Sequence, residues 1–97
     1  MFELVVDTSG LTPRQLEPAV EKLIAAHGLS ATLKGTTRKF PGSIHWHLKK
    51  GRERGTLEIT LHGDRLWFSM HENRSGEWII ETAHAFKRQL ERASASH

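Results

Sequence analysis

Two hydrophobic periods alternate along the chain. Phe2 to Val6 is a short apolar run that stops at Asp7-Thr8-Ser9-Gly10, which predicts a strand ending in a turn. The period then becomes helical. Thr12 offers an N-cap, Pro13 suits the first helical position and Gln15 completes a capping box, while Leu16, Val20, Leu23, Ile24 and His27 mark one face up to a terminating Gly28. Pro18 lacks an amide donor, so the regular helix is free to begin only there. From Ala31 to His71 the period is two, with Leu33, then Ile44, Trp46 and Leu48, then Leu57, Ile59 and Leu61, then Leu66, Phe68 and Met70. This predicts four strands in sequence, broken at Pro41-Gly42, at Lys49 to Gly55 and at Gly63-Asp64. Ser75 offers the N-cap of a second helix, Glu77 suits its positive end, and Ile79, Ile80, Ala83, Phe86 and Leu90 repeat at helical spacing before a frayed tail over 93–97.

The pattern predicts a single α+β domain over 1–97: a two-layer sandwich, strand, helix, four strands, helix, with a four- or five-stranded antiparallel sheet carrying both helices on one face. A tight Gly63-Asp64 loop sets Leu61 opposite Leu66, Ile59 opposite Phe68 and Leu57 opposite Met70. Pairing Leu48 with Leu57 adds Trp46 beside Ile59 and Ile44 beside Leu61, so all three rows are apolar. A tight Pro41-Gly42 turn would add Arg38 opposite His45, Thr36 opposite His47 and Lys34 opposite Lys49, the last a like-charge pair.

The same register assigns the other, polar face. One row reads Arg38, His45, Thr60, Trp67; the next Thr36, His47, Glu58, Ser69; the third Lys34, Lys49, Thr56, His71. With helices on the apolar side, this face is left to solvent or a partner. His45 and His47 lie about 7 Å apart along their strand, with Glu58 opposite His47, a set able to ligate a transition metal or to form an ordinary cross-strand polar pair. On an open sheet with no supporting partner evident, no tight zinc or iron site is expected, and His71 lies about 11 Å from His47 by the register. Trp67 is expected to be exposed beside Arg38, His45 and Lys49, free to stack on a base, anchor a protein or lie flat over its neighbours. The loop from Lys49 to Gly55 is basic, and Arg74 precedes a helix N-terminus that favours anions.

Composition narrows the classes. With 37% hydrophobic and 26% charged residues the chain suits a folded domain rather than disorder. The absence of cysteine removes disulfides, thiolate metal sites and thiol nucleophiles. A cytoplasmic setting is expected, since no basic leader or membrane-length apolar run is seen. Fourteen Lys and Arg against eleven Asp and Glu give +3, too modest for a dedicated nucleic-acid binder. No phosphate-cradling loop, nucleophile elbow or His-Glu-x-x-His helix occurs, so catalysis has little to work with. Leu4 to Gly10 is similar to the Asp-Thr/Ser-Gly run of aspartic proteases, but two capped helices contradict that nearly all-β fold.

Pro41-Gly42-Ser43-Ile44-His45-Trp46-His47-Leu48-Lys49-Lys50, with Gly55-Thr56-Leu57-Glu58-Ile59-Thr60, Arg65-Leu66-Trp67 and Asn73-Arg74, resembles a small family of uncharacterised bacterial proteins. The resemblance covers roughly the second half of the chain and implies a bacterial, cytoplasmic setting without an activity. The function expected is a non-catalytic, cofactor-free binding module working through the polar sheet face, with a protein partner or weak nucleic-acid or anion binding and no membrane. The alternatives are a metal-dependent or other enzymatic domain centred on His45, His47 and Glu58, and a structural homodimer through Trp67.

Overall fold

In the computed structural model, which describes residues 2–70 and 76–95, the elements are β1 (Phe2–Val6), α1 (Pro13–Ala26), β2 (Ser30–Gly35), β3 (Ile44–Lys49), β4 (Leu57–His62), β5 (Arg65–Met70) and α2 (Glu77–Ala95). The strands form one antiparallel sheet in the order β1-β5-β4-β3-β2, so the first two strands in sequence occupy opposite edges and α1 crosses between them. The expected α+β class and element order are observed.

Local sequence accounts for α1 at both ends. The Thr12 hydroxyl accepts from the Gln15 amide while the Gln15 side chain accepts from the Thr12 amide, a complete capping box. At the other end the Gly28 amide reaches Ala25 O and the Leu29 amide reaches Ile24 O, the paired bonds of a Schellman motif. Pro18 does not delay the helix, which starts at Pro13. Pro18 lies on the exposed side, where the Arg14 carbonyl deprived of its amide has water within reach.

The core sits between the sheet and both helices. Trp46, Ile59 and Phe68 form one buried cross-strand row and Leu48 and Leu57 the next, with Leu16, Val20, Ile79 and Phe86 of the helices buried against them. The β3–β4 and β4–β5 registers are those expected, including Glu58 opposite both His47 and Ser69 and Thr60 opposite both His45 and Trp67. On α2 the buried stripe includes Trp78, while Ile80, expected inside, stays exposed. Trp78 donates its indole N–H to Arg54 O at 2.7 Å, fastening the basic β3–β4 loop to the helix.

The β2–β3 register departs from expectation. Phe40 to Ser43 is a type II turn, with Pro41 and a positive-φ Gly42 at its centre and Ser43 N bonded to Phe40 O, but it is the tip of a longer connection over 36–43. Gly35 therefore faces His45, Lys34 faces Trp46 and Leu33 faces His47. Over Leu33 to Gly35 the shift from the expected pairing is three residues, an odd number, so this part of β2 shows the opposite faces, whereas beyond the bulge Ser30 faces Lys49, a shift of four. Lys34 lies on the helix side, bonded to Glu17 at 2.7 Å and within 3.5 Å of Glu21, with Trp46 donating to Glu21 at 2.9 Å. Its ammonium is held above the ordinary lysine range, chiefly by the Glu17 hydrogen bond.

Of the 93–97 tail expected to fray, residues 93–95 are helical and Ser94 is buried, while 96–97 lie outside the described residues. The Ser94 hydroxyl accepts from the Gly10 amide at 2.6 Å. Among the described residues no helix is long and apolar enough to cross a membrane. A Cβ on Gly10 would lie 1.8 Å from Ser94 O, a backbone atom rather than the end of a flexible side chain. Gly10→Ala is expected to cost about 2–3 kcal/mol, lowering Tm on the order of 10–20 °C, whereas Ser94→Ala, which removes one hydrogen bond, costs about 1 kcal/mol. Calorimetric melting of the two variants checks the order; equal losses would show that the contact is relieved by movement of the helix.

Candidate functional site

On the side away from the helices, β3 and β4 bring three titratable groups together. His45 and His47 stand on the same face of one strand, Glu58 stands opposite His47, and Thr60 stands opposite His45. The side chains lean toward one another, closing the spacing implied by the strand rise. His45 Nε2 lies 3.0 Å from His47 Nε2 and 3.2 Å from Glu58 Oε1, and His47 Nε2 lies 3.5 Å from the same oxygen. The two imidazole rings meet edge to face at 72°. On its far side His45 Nδ1 contacts the Thr60 hydroxyl at 2.7 Å. That hydroxyl, itself buried, is the supporting partner that alternation alone did not reveal.

The cluster is more enclosed than a flat sheet surface. The His45 and Glu58 side chains are 13% and 18% exposed, and only His47, at 36%, opens freely to solvent. His45 titrates below the ordinary histidine range. Burial, which disfavours its charged form, is the main cause and the neighbouring His47 adds to it, while Glu58 works in the opposite direction.

Beside the cluster the face deepens into a groove of about 720 Å³, floored by Thr60, Trp67 and Ser69 and reaching His45 and Glu58. Its wall comes from a residue that the strand pattern did not single out. Phe40, just before the Pro41-Gly42 turn, is carried over the sheet and meets Trp67 edge-on at 5.2 Å and His62 at 5.3 Å. A large aromatic in an otherwise polar connection was the signal available for it. Across the groove Val5, cross-strand from Trp67, is 59% exposed. The rim carries charge of both signs: Glu3, Asp7 and Asp64 against Lys39 and Arg65.

Several residues fall elsewhere than expected. Trp67 is half-buried under Phe40 rather than an open ring. Arg38 lies in the bend of the 36–43 connection, exposed and outside the strand pairing, because the turn is longer than the tight one assumed; Gly35 faces His45 in its place. Thr36 also lies outside the strand, and Leu33, 48% exposed, is opposite His47. Lys34 is on the other side of the sheet. Lys49 ends β3, about 16 Å from Trp67 by strand rise and spacing, and is not its neighbour. His71, Arg74 and the Ser75 cap lie outside the described residues.

The depressed titration of His45 has a thermodynamic consequence. Above about pH 6.5 its imidazole is neutral in both folded and unfolded chains and costs nothing. As pH falls through that value the unfolded chain takes up the proton first, so stability is lost until the folded form also protonates. The urea midpoint is therefore expected to fall between about pH 7.5 and about pH 5.5, and to fall less in His45→Asn; an equal fall in both would place the effect on another group. Compared with family models, curated proteins and solved structures, the chain shows no match to any of them.

Proposed function

We propose that the protein is a small non-catalytic binding module that takes an extended segment of a protein partner in the groove on its helix-free sheet face. One observation carries this reading: both helices pack on the other face, and the 36–43 connection raises Phe40 over Trp67, so the free face is walled rather than flat. An aromatic wall, apolar Val5 and a few convergent polar groups are the usual lining of a ligand site. The mixture of carboxylates and cations at the rim suits a peptide, whose side chains carry either sign, and disfavours a phosphate backbone. Weak nucleic-acid attraction falls instead to the basic loop beyond Lys49, far from Trp67. The resemblance of segments within 41–74 and the cysteine-free composition support a bacterial cytoplasmic setting as part of the same proposal.

Binders selected from a displayed random-peptide library, together with a single-stranded oligonucleotide at low salt, test this by NMR. The peptides are expected to shift the Trp67 indole and the Val5 and Thr60 amides, and to bind at least tenfold more weakly, about 1.4 kcal/mol, to Trp67→Ala and Phe40→Ala. The oligonucleotide is expected to move only the 49–55 loop. Peptides that shift only the helical face, or an oligonucleotide that shifts Trp67, would overturn the reading. A dimer seen by light scattering and lost in Trp67→Ala would replace it with self-association.

A further inference from the structure

The geometry points to a zinc-class divalent metal site formed by His45 Nε2, His47 Nε2 and Glu58 Oε1. Zinc bonds of about 2.0–2.1 Å at tetrahedral angles set neighbouring donors about 3.3 Å apart. The three edges here, 3.0, 3.2 and 3.5 Å, bracket that value, so one ion above the triangle reaches all three donors with little movement of any ring. An ordinary polar pair does not require three lone-pair-bearing atoms on one point. With its proton on Nδ1 and donated to Thr60, His45 turns a bare Nε2 toward the triangle. Glu58 Oε1, a carboxylate oxygen, brings its lone pairs to the same point, 3.2 Å from His45 Nε2 and 3.5 Å from His47 Nε2. A cation satisfies all three donors at once.

Thr60 completes the arrangement as a positioning residue. Ligating histidines ordinarily donate their second ring N–H to an oxygen, which fixes the tautomer and the ring plane, and the 2.7 Å contact from His45 Nδ1 to the Thr60 hydroxyl supplies that. Thr60 is buried, so its hydroxyl is held in place beside His45. Two imidazoles and one carboxylate form a borderline nitrogen and oxygen set that suits zinc, cobalt or nickel rather than calcium or magnesium. With three protein donors, a fourth position is left for water or an anionic donor. The inference does not depend on what occupies the groove.

Titration of the tag-free, metal-stripped chain with zinc by calorimetry, and with cobalt(II) by visible absorption, tests the site. One zinc per chain with a Kd of about micromolar or tighter is expected, with cobalt giving the intense bands of a four-coordinate ion. His47→Ala, at the exposed corner of the triangle, and Glu58→Gln are each expected to weaken binding at least tenfold, and Thr60→Val about tenfold while retaining one-to-one stoichiometry. In the wild type, zinc must move the ring resonances of His45 and His47 and leave those of His62 and His84 in place, a readout that needs no variant. Binding weaker than about 100 µM, unchanged affinity in both His47→Ala and Glu58→Gln, or unmoved His45 and His47 resonances would overturn the inference.

Discussion

Everything in the structure depends on the pairing of β4 with its two neighbours. Ile59 lies between Trp46 and Phe68, Leu61 between Ile44 and Leu66, and these contacts are what the helices pack upon. A strand has only two faces and alternates between them, so committing these residues to the core commits His45, His47, Glu58, Thr60 and Trp67 to the opposite side. The titratable cluster and the groove are thus consequences of the hydrophobic register. A one-residue slip of β3 against β4 would bury the imidazoles and expel Trp46, and a slip of β5 against β4 would bury Trp67 and expel Phe68.

The central sheet was legible in the sequence because burial supplies a strong alternating signal there. Three apolar rows agree with a single register, and the Gly63-Asp64 loop fixes its starting point. The edge strand β2 carries no such signal. All of its residues are exposed, it contains a bulge between Ala31 and Leu33, and nothing in its pattern selects one pairing over another. The Pro41-Gly42 turn was recognisable, but whether it closed a tight hairpin or tipped a longer connection was not encoded in the dipeptide. What the observed register gains is tertiary: Lys34 bridges to Glu17 and Glu21 on α1, beneath the same carboxylate that holds the Trp46 indole.

The site was legible to the same degree. Strand parity places both histidines and the glutamate on one face, and β3–β4 pairing puts them side by side. It does not say which way the rings turn, that a buried threonine hydroxyl stands behind one of them, or that an aromatic from a loop covers Trp67. Those features come from rotamers and loop geometry, which depend on space left by neighbours rather than on spacing along the chain. Gly35 illustrates the point, since it faces His45 with no side chain and leaves that flank of the cluster open.

The bond from Gly10 to Ser94 and that from the Asp7 amide to Glu91 each join residues 84 positions apart. They fasten the outer strand β1 and its turn to the last turns of α2, whereas β2 to β5 are linked through neighbouring connections. Ordering β1 therefore carries the largest loop-closure entropy in the molecule and gains its anchors only once α2 is in place. On a ribosome β1 would emerge before the strands it joins and dock after them. Until then the free edge of β5 offers its unpaired backbone to any available strand, including β1 of another copy, so the fastening at Gly10 also guards against exchange between chains.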